Sequence, residues 1–163
     1  MVKTTITEGK RIMEKLIASL KVALGNTFTM YFKAHSYHWN VEGTNFHQFH
    51  DLFGEIYDNV YGAVDPLAEE IRKLDAYAPI SLMEIYGYKT IMEDPTKPAT
   101  PHEMVLNLLT ANTEVLHVLS TVFDIATEEK QQGLANLVAD RMGIHKKFEW
   151  QLQATLKDIG VQA

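Results

Sequence analysis

Apolar residues recur at spacings of three and four through almost all of the 163-residue chain, and that period admits helices and little else. In the first stretch, from about Thr7 to Trp39, Met13, Leu16, Ile17, Leu20, Leu24, Phe28, Tyr31 and Phe32 mark one face of a helix. It stops at Asn40-Val41-Glu42-Gly43-Thr44, where Gly43 suits a left-handed turn and Thr44 or Asn45 can cap the next helix. This second helix is expected from Asn45 to about Leu74, with Phe46, Phe49, Phe53, Tyr57, Val60, Val64, Leu67, Ile71 and Leu74 on its buried stripe. Between Asp75 and Ala99 the pattern breaks at Pro79, Gly87, Pro95 and Pro98, with room for one short helix at Ser81 to Tyr86. A third helix then opens on Thr100-Pro101-His102-Glu103, a capping box with proline at the first helical position, and runs to about Ile125. A fourth is expected from near Thr127, with Glu128 and Glu129 in its first turn, to near Gly160. Strand-like alternation is absent.

The reading is therefore all-α: one domain over residues 1–163, made of two antiparallel hairpins joined by a long crossover that carries a short helix. Residues 1–6 form a short tail, and residues 75–99 form the crossover. Helices of about 30 residues are roughly 45 Å long, and surfaces of that length favour an oligomer.

Composition narrows the chemistry. The chain has no cysteine, which excludes disulfides, thiolate zinc sites, iron–sulfur clusters and cysteine nucleophiles. A formal net charge of −6 is the wrong sign for gripping nucleic acid or an anionic membrane. No apolar run approaches the length of a membrane span, and the first residues lack the apolar core of a signal peptide, so a cytoplasmic location is expected.

The seven histidines are not scattered. His35, His38, His47 and His50 fall within one short stretch. His38 ends the first helix and His50 begins the second, so both imidazoles can meet at one end of the hairpin, and imidazole is a good ligand for Fe(II) and Zn(II). Asp65 and Glu69 lie four apart, with both carboxylates on one side of a helix. Asp65 lies on nearly the same side as His50 but ~22 Å farther along the axis. One ion in one chain cannot touch both. Two copies packed antiparallel across a two-fold axis can bring the histidines of one against the carboxylates of the other, which makes two identical sites.

The run His38-Trp39-Asn40-Val41-Glu42-Gly43-Thr44-Asn45-Phe46, then His50, then Asp65 and Glu69, resembles the signature of the Dps family of miniferritins, without a gap. The helical plan resembles theirs over nearly the whole chain and implies a ferritin-like four-helix bundle. The resemblance implies that His38, His50, Asp65 and Glu69 are the metal and catalytic residues, with the histidines from one subunit and the acids from its two-fold partner. It implies a ferroxidase that oxidises Fe(II), preferentially with hydrogen peroxide and two irons per peroxide. It further implies storage of Fe(III) inside a hollow homo-dodecamer, as protection against oxidative damage, with Trp39 beside the site to quench radicals. The alternative is a shell that binds metal without oxidising it, since the same ligands hold Zn(II), or one that protects DNA.

Two positions depart from that pattern. The family usually has an aspartate four residues after the second histidine, assisting a second iron; here Gly54 stands there. Glu55, Asp51, Asp58 and His47 are the candidates to substitute, His47 foremost because it lies one turn before His50. Pro66 within a helix removes a hydrogen bond at a cost of ~3 kcal/mol, and a bend is expected where its ring meets the Gly62 carbonyl.

Other features read more simply. His35 is a core, interface or supporting histidine. Glu114 and His117 match an E-x-x-H pattern once, where a di-iron bundle needs it twice. The tyrosine and phenylalanine stripe and Trp150 are packing residues. Glu128, Glu129 and Asp140 are either pore-lining acids or a solvated helix face. Twelve chains at −6 each carry −72, and no lysine-rich tail is present, so DNA binding is expected to be weak or absent.

Overall fold

The computed structural model describes residues 2–95 and 99–157, with six helices and no strand among them. They are α1 (Val2–Asn40), α2 (Phe46–Tyr61), α3 (Val64–Lys73), α4 (Leu82–Tyr88), α5 (Pro101–Glu128) and α6 (Gln132–Leu156). α1 packs on α2, α3, α4 and α5, and α5 packs on α6. With α2 and α3 end to end, this is a four-helix bundle whose crossover lays α4 against the outside of α1.

The core is fed from α1 by Leu16, Leu20, Leu24, Met30, Ala34 and Tyr37, all buried. That stripe departs from the expected one in the second half of the helix. Phe28 and Tyr31 are only half-buried and Phe32 is 52% exposed. The aromatic side chains form a second, outward apolar face, and Thr27 and Lys33 turn inward instead.

The inward polar groups tie down the crossover. The Asn26 side chain accepts from the Thr90 amide at 2.7 Å and donates to the Thr90 hydroxyl at 2.8 Å. Buried Lys33 pairs with Asp94 at 2.6 Å, and the Tyr37 hydroxyl donates to the same carboxylate. Burial first, and that bond second, raise the Tyr37 phenol well above its usual range. A buried charge survives when it is paired and hydrogen-bonded, as Lys33 is.

Several boundaries differ from expectation. Helix is already present at Val2, where a tail was expected. Asn45 is the N-cap residue of α2, but its side chain makes no capping bond. The expected second helix is two helices, with a turn at Gly62 and Ala63 where the Ala63 amide bonds only three residues back, to Val60. The break places Pro66 in the first turn of α3, where a missing N–H costs little, and Asp65 beside it at the favourable end of the helix dipole. The Thr100 capping box is present, and Ser81 caps α4. α6 starts at Gln132, so Glu128 ends α5 and Glu129 is its C-cap, instead of opening the last helix. The reversal runs through Lys130 at φ 57°. α6 ends at Leu156; Gly160 and Pro98 lie outside the described residues.

Candidate metal centre

His38 sits in the last turn of α1 and His50 in the second turn of α2. Between them Gly43 adopts φ 122°, a conformation that strains any residue with a Cβ. The resulting tight reversal stacks the two imidazoles, with centroids 3.6 Å apart and planes 23° from parallel. Each ring is also held by the other's backbone: His38 Nδ1 donates to the His50 carbonyl at 2.7 Å, and His50 Nδ1 donates to the His38 carbonyl at 2.8 Å. The His38 carbonyl is one of the last four of α1, which have no partner within the helix.

This exchange fixes the chemistry of both rings. A carbonyl only accepts, so each Nδ1 carries a proton, and in the neutral ring the lone pair is then on Nε2. In that tautomer the two imidazoles suit a metal ion through Nε2, each oriented by a carbonyl as bound histidines are.

Aromatic rings frame the pair. Phe46 stacks on His50 at 5.0 Å, and Tyr57 meets His38 edge-on at 5.2 Å. His35 stacks on Tyr57 at 4.0 Å and touches Trp39 at 4.1 Å. Burial, and secondarily charge on His38, lower the His35 pKa, which keeps it neutral near pH 7. His35 is thus a supporting neighbour of the pair. His47 is exposed and lies edge-on to Phe46 at 5.2 Å. Gly54 abuts the site: a Cβ there would stand 3.3 Å from His38 Nδ1 and 3.4 Å from its Cε1.

Asp65 and Glu69 are exposed on α3. Among the described residues neither makes a hydrogen bond or ion pair within the chain, and no group of three or more histidines and acids converges on one point. The chain presents an imidazole pair and a carboxylate pair separately. Glu114 accepts from the Thr90 hydroxyl at 2.6 Å and His117 is exposed, so the E-x-x-H match builds no site.

The outward aromatic face runs from this centre to the crossover. Trp39 and Tyr61 are each 57% exposed, and Trp39 meets Phe32 edge-on at 6.2 Å. Phe32, Leu82 and Tyr86 then line a groove of about 350 Å³ between α1 and α4. Trp150, expected to pack, is also exposed, on α6.

The ferritin-like domain family model matches residues 17–160. The chain belongs to the ferritin-like family, as a protein of the Dps type. It is similar to antigen TpF1 of Treponema pallidum, with 30% identity over 90% of this chain and 83% of that protein. It is 28% identical to the DNA protection during starvation protein of Brevibacillus brevis, over 91% and 99% of the two chains. The crystal structure of a Dps protein from Vibrio cholerae O1, described as one of the ferritin-like diiron-carboxylate proteins, superimposes with TM-score 0.84 and 28% identity over 90% of this chain and 92% of that one. Sequence reasoning found the ligand candidates of this Dps-type chain but missed how His38 and His50 hold one another. Nothing in the residue order signals that two carbonyls twelve positions apart face each other's rings.

Proposed function

We propose that this Dps-type chain is a ferroxidase and iron-storage protein whose catalytic centre is shared between two subunits. His38 and His50 of one subunit supply two neutral nitrogen ligands, and the partner subunit's Asp65 and the partner subunit's Glu69 supply two carboxylates. Fe(II) is the substrate of this centre, and Zn(II) fits the same donors without being oxidised. The observation that carries the reading is the reciprocal Nδ1–carbonyl exchange, which occupies both Nδ1 atoms and leaves Nε2 of each ring as the donor for a metal, beside an exposed apolar face.

The chemistry comes from the donors. Imidazole suits Fe(II), and carboxylate oxygens favour the harder Fe(III), so this donor set stabilises the product. Hydrogen peroxide is the proposed oxidant: overall, with two protons and two Fe(II), oxidised at separate centres or in succession at one, it gives two Fe(III) and two waters. Tyr57, edge-on to His38, and Trp39, in contact with His35, are oxidisable rings proposed to intercept stray radicals. The ferric product is proposed to collect inside a hollow dodecamer in the cytoplasm; iron as the metal is in line with the diiron-carboxylate description of the Vibrio cholerae relative. Among the described residues no helix is long and apolar enough to cross a membrane.

The protective role named for the Brevibacillus brevis relative is proposed here to act through iron and peroxide removal, with little direct DNA contact. A shell of net charge −6 per chain repels phosphate. No plasmid retardation is expected in a gel shift at physiological salt, and retardation at sub-micromolar protein would contradict this.

The test of the centre is to load Fe(II) anaerobically, add peroxide, and follow the ferric absorbance. The wild type is expected to give a fast phase, slowed at least 10-fold, on the order of a lost ligand's effect, in His50→Ala and in Asp65→Ala. A fast phase unchanged in both variants would refute the assignment.

A further inference from the structure

We infer that each centre of this chain holds one Fe(II) at a time, and that Gly54 sets this limit. The inference rests on the shared centre proposed above and adds its metal count.

Few donors lie within reach of the two Nε2 atoms. On α2 the positions that share a face with His50 are Phe46, His47, Phe53, Gly54 and Tyr57, and on α1 those beside His38 are Ala34 and His35. None is a carboxylate. The acids of α2 point elsewhere. Asp51 and Glu55 lie roughly 100° and 140° around the axis from His50, and Asp58 lies about 12 Å farther along. Glu55 is engaged by Lys147 of α6 at 3.2 Å. On these two helices the histidine side of the centre therefore offers imidazole and no carboxylate.

In the proposed centre the partner subunit's Asp65 and the partner subunit's Glu69 then bring two negative charges, which balance one Fe(II). A second dication would meet no anionic oxygen from the histidine-bearing helices. Gly54 is the position that could change this. It is one turn beyond His50, and a Cβ there would stand 3.3 Å from His38 Nδ1 and 3.4 Å from Cε1, the ring carbon between Nδ1 and Nε2. A carboxylate one bond beyond that carbon would put a negatively charged group against the His38 ring. At 3.3–3.4 Å from a ring the added carbon needs a shift of only a few tenths of an ångström.

The experiment is anaerobic equilibrium dialysis of the assembled full chain against Fe(II) alone, counting the sites that His50→Ala removes. About one per chain is expected in the wild type, about one in Gly54→Ala, which adds the carbon without the charge, and about two in Gly54→Asp. A wild-type count of two, both removed by His50→Ala, would overturn the inference and leave the shared centre standing. If His47→Ala then lowers that count to one, His47 is the second site's ligand. An assembled Gly54→Asp that still counts one would overturn the role given to Gly54. No sites removed by His50→Ala would overturn the proposed centre and this inference with it.

Discussion

His38 and His50 each give a ring proton to the other's backbone, so the two side chains orient one another. Their identity as candidate ligands was legible from the histidine-tryptophan-asparagine run and its spacing to Asp65 and Glu69. Their tautomers were not, because these depend on where two carbonyls fall in space. A buried histidine on α6 is set up differently. His145 gives its Nδ1 proton to the Asn112 side-chain oxygen at 2.7 Å, and the Arg141 guanidinium faces its other nitrogen at 3.4 Å. Loss of water, and then the charge of Arg141, push its pKa down from 6.5 to about 3. The folded value lies below the unfolded one, so His145 favours the fold above pH 6.5, and that contribution is lost as the pH falls from 6.5 towards 3. Calorimetry over this window is expected to show Tm falling with acidity, and falling less steeply in His145→Gln. An equal slope in the variant would show that other groups carry the acid sensitivity. Nothing in the sequence separated this histidine from those at the surface, since burial depends on which face of α6 meets α5.

Helix ends show what local sequence can and cannot reveal. Thr100, Pro101 and Glu103 carry their own capping instructions within four residues, and the start of α5 was readable to the residue. The end of α5 was not. Glu128 and Glu129 look like first-turn acids, yet α5 runs on to Glu128, is capped by Glu129 and reverses at Lys130. The break between α2 and α3 was half-visible: Pro66 announced a disturbance, but the turn at Gly62 and Ala63 absorbs it upstream, so Pro66 does not interrupt a continuous hydrogen-bond ladder. Gly25 is an element-level constraint that the sequence did not announce. A Cβ there would stand 3.0 Å from the Lys89 amide nitrogen and 3.1 Å from the Ile85 carbonyl oxygen, both rigid backbone. Gly25→Ala is therefore expected to push the crossover off α1 and to destabilise the chain by about 1–3 kcal/mol, the usual cost of overpacking. Thermal melts check the size. Unchanged stability would mean that the crossover yields freely.

The largest misreading concerned which aromatic rings face inward. Phe32, counted in the buried stripe of the first helix, belongs with Trp39, Tyr61, Leu82 and Tyr86 on an exposed apolar face. A period of 3.6 registers two apolar faces as one broad stripe and cannot say which meets this chain's core and which meets another copy. A face of this kind, rimmed by the imidazole pair, is where a second subunit is proposed to bring its carboxylates. The sharing can be tested by mixing. His50→Ala keeps the carboxylates and Asp65→Ala keeps the histidines, so neither homo-oligomer has a complete centre. If the two are dissociated together and reassembled, random pairing across a two-fold axis restores roughly a quarter of the centres. A shared centre predicts that the peroxide-driven ferric phase returns to about that fraction of wild type in the mixed oligomer. A mixed oligomer no more active than its two inactive parents would contradict a centre built from two subunits.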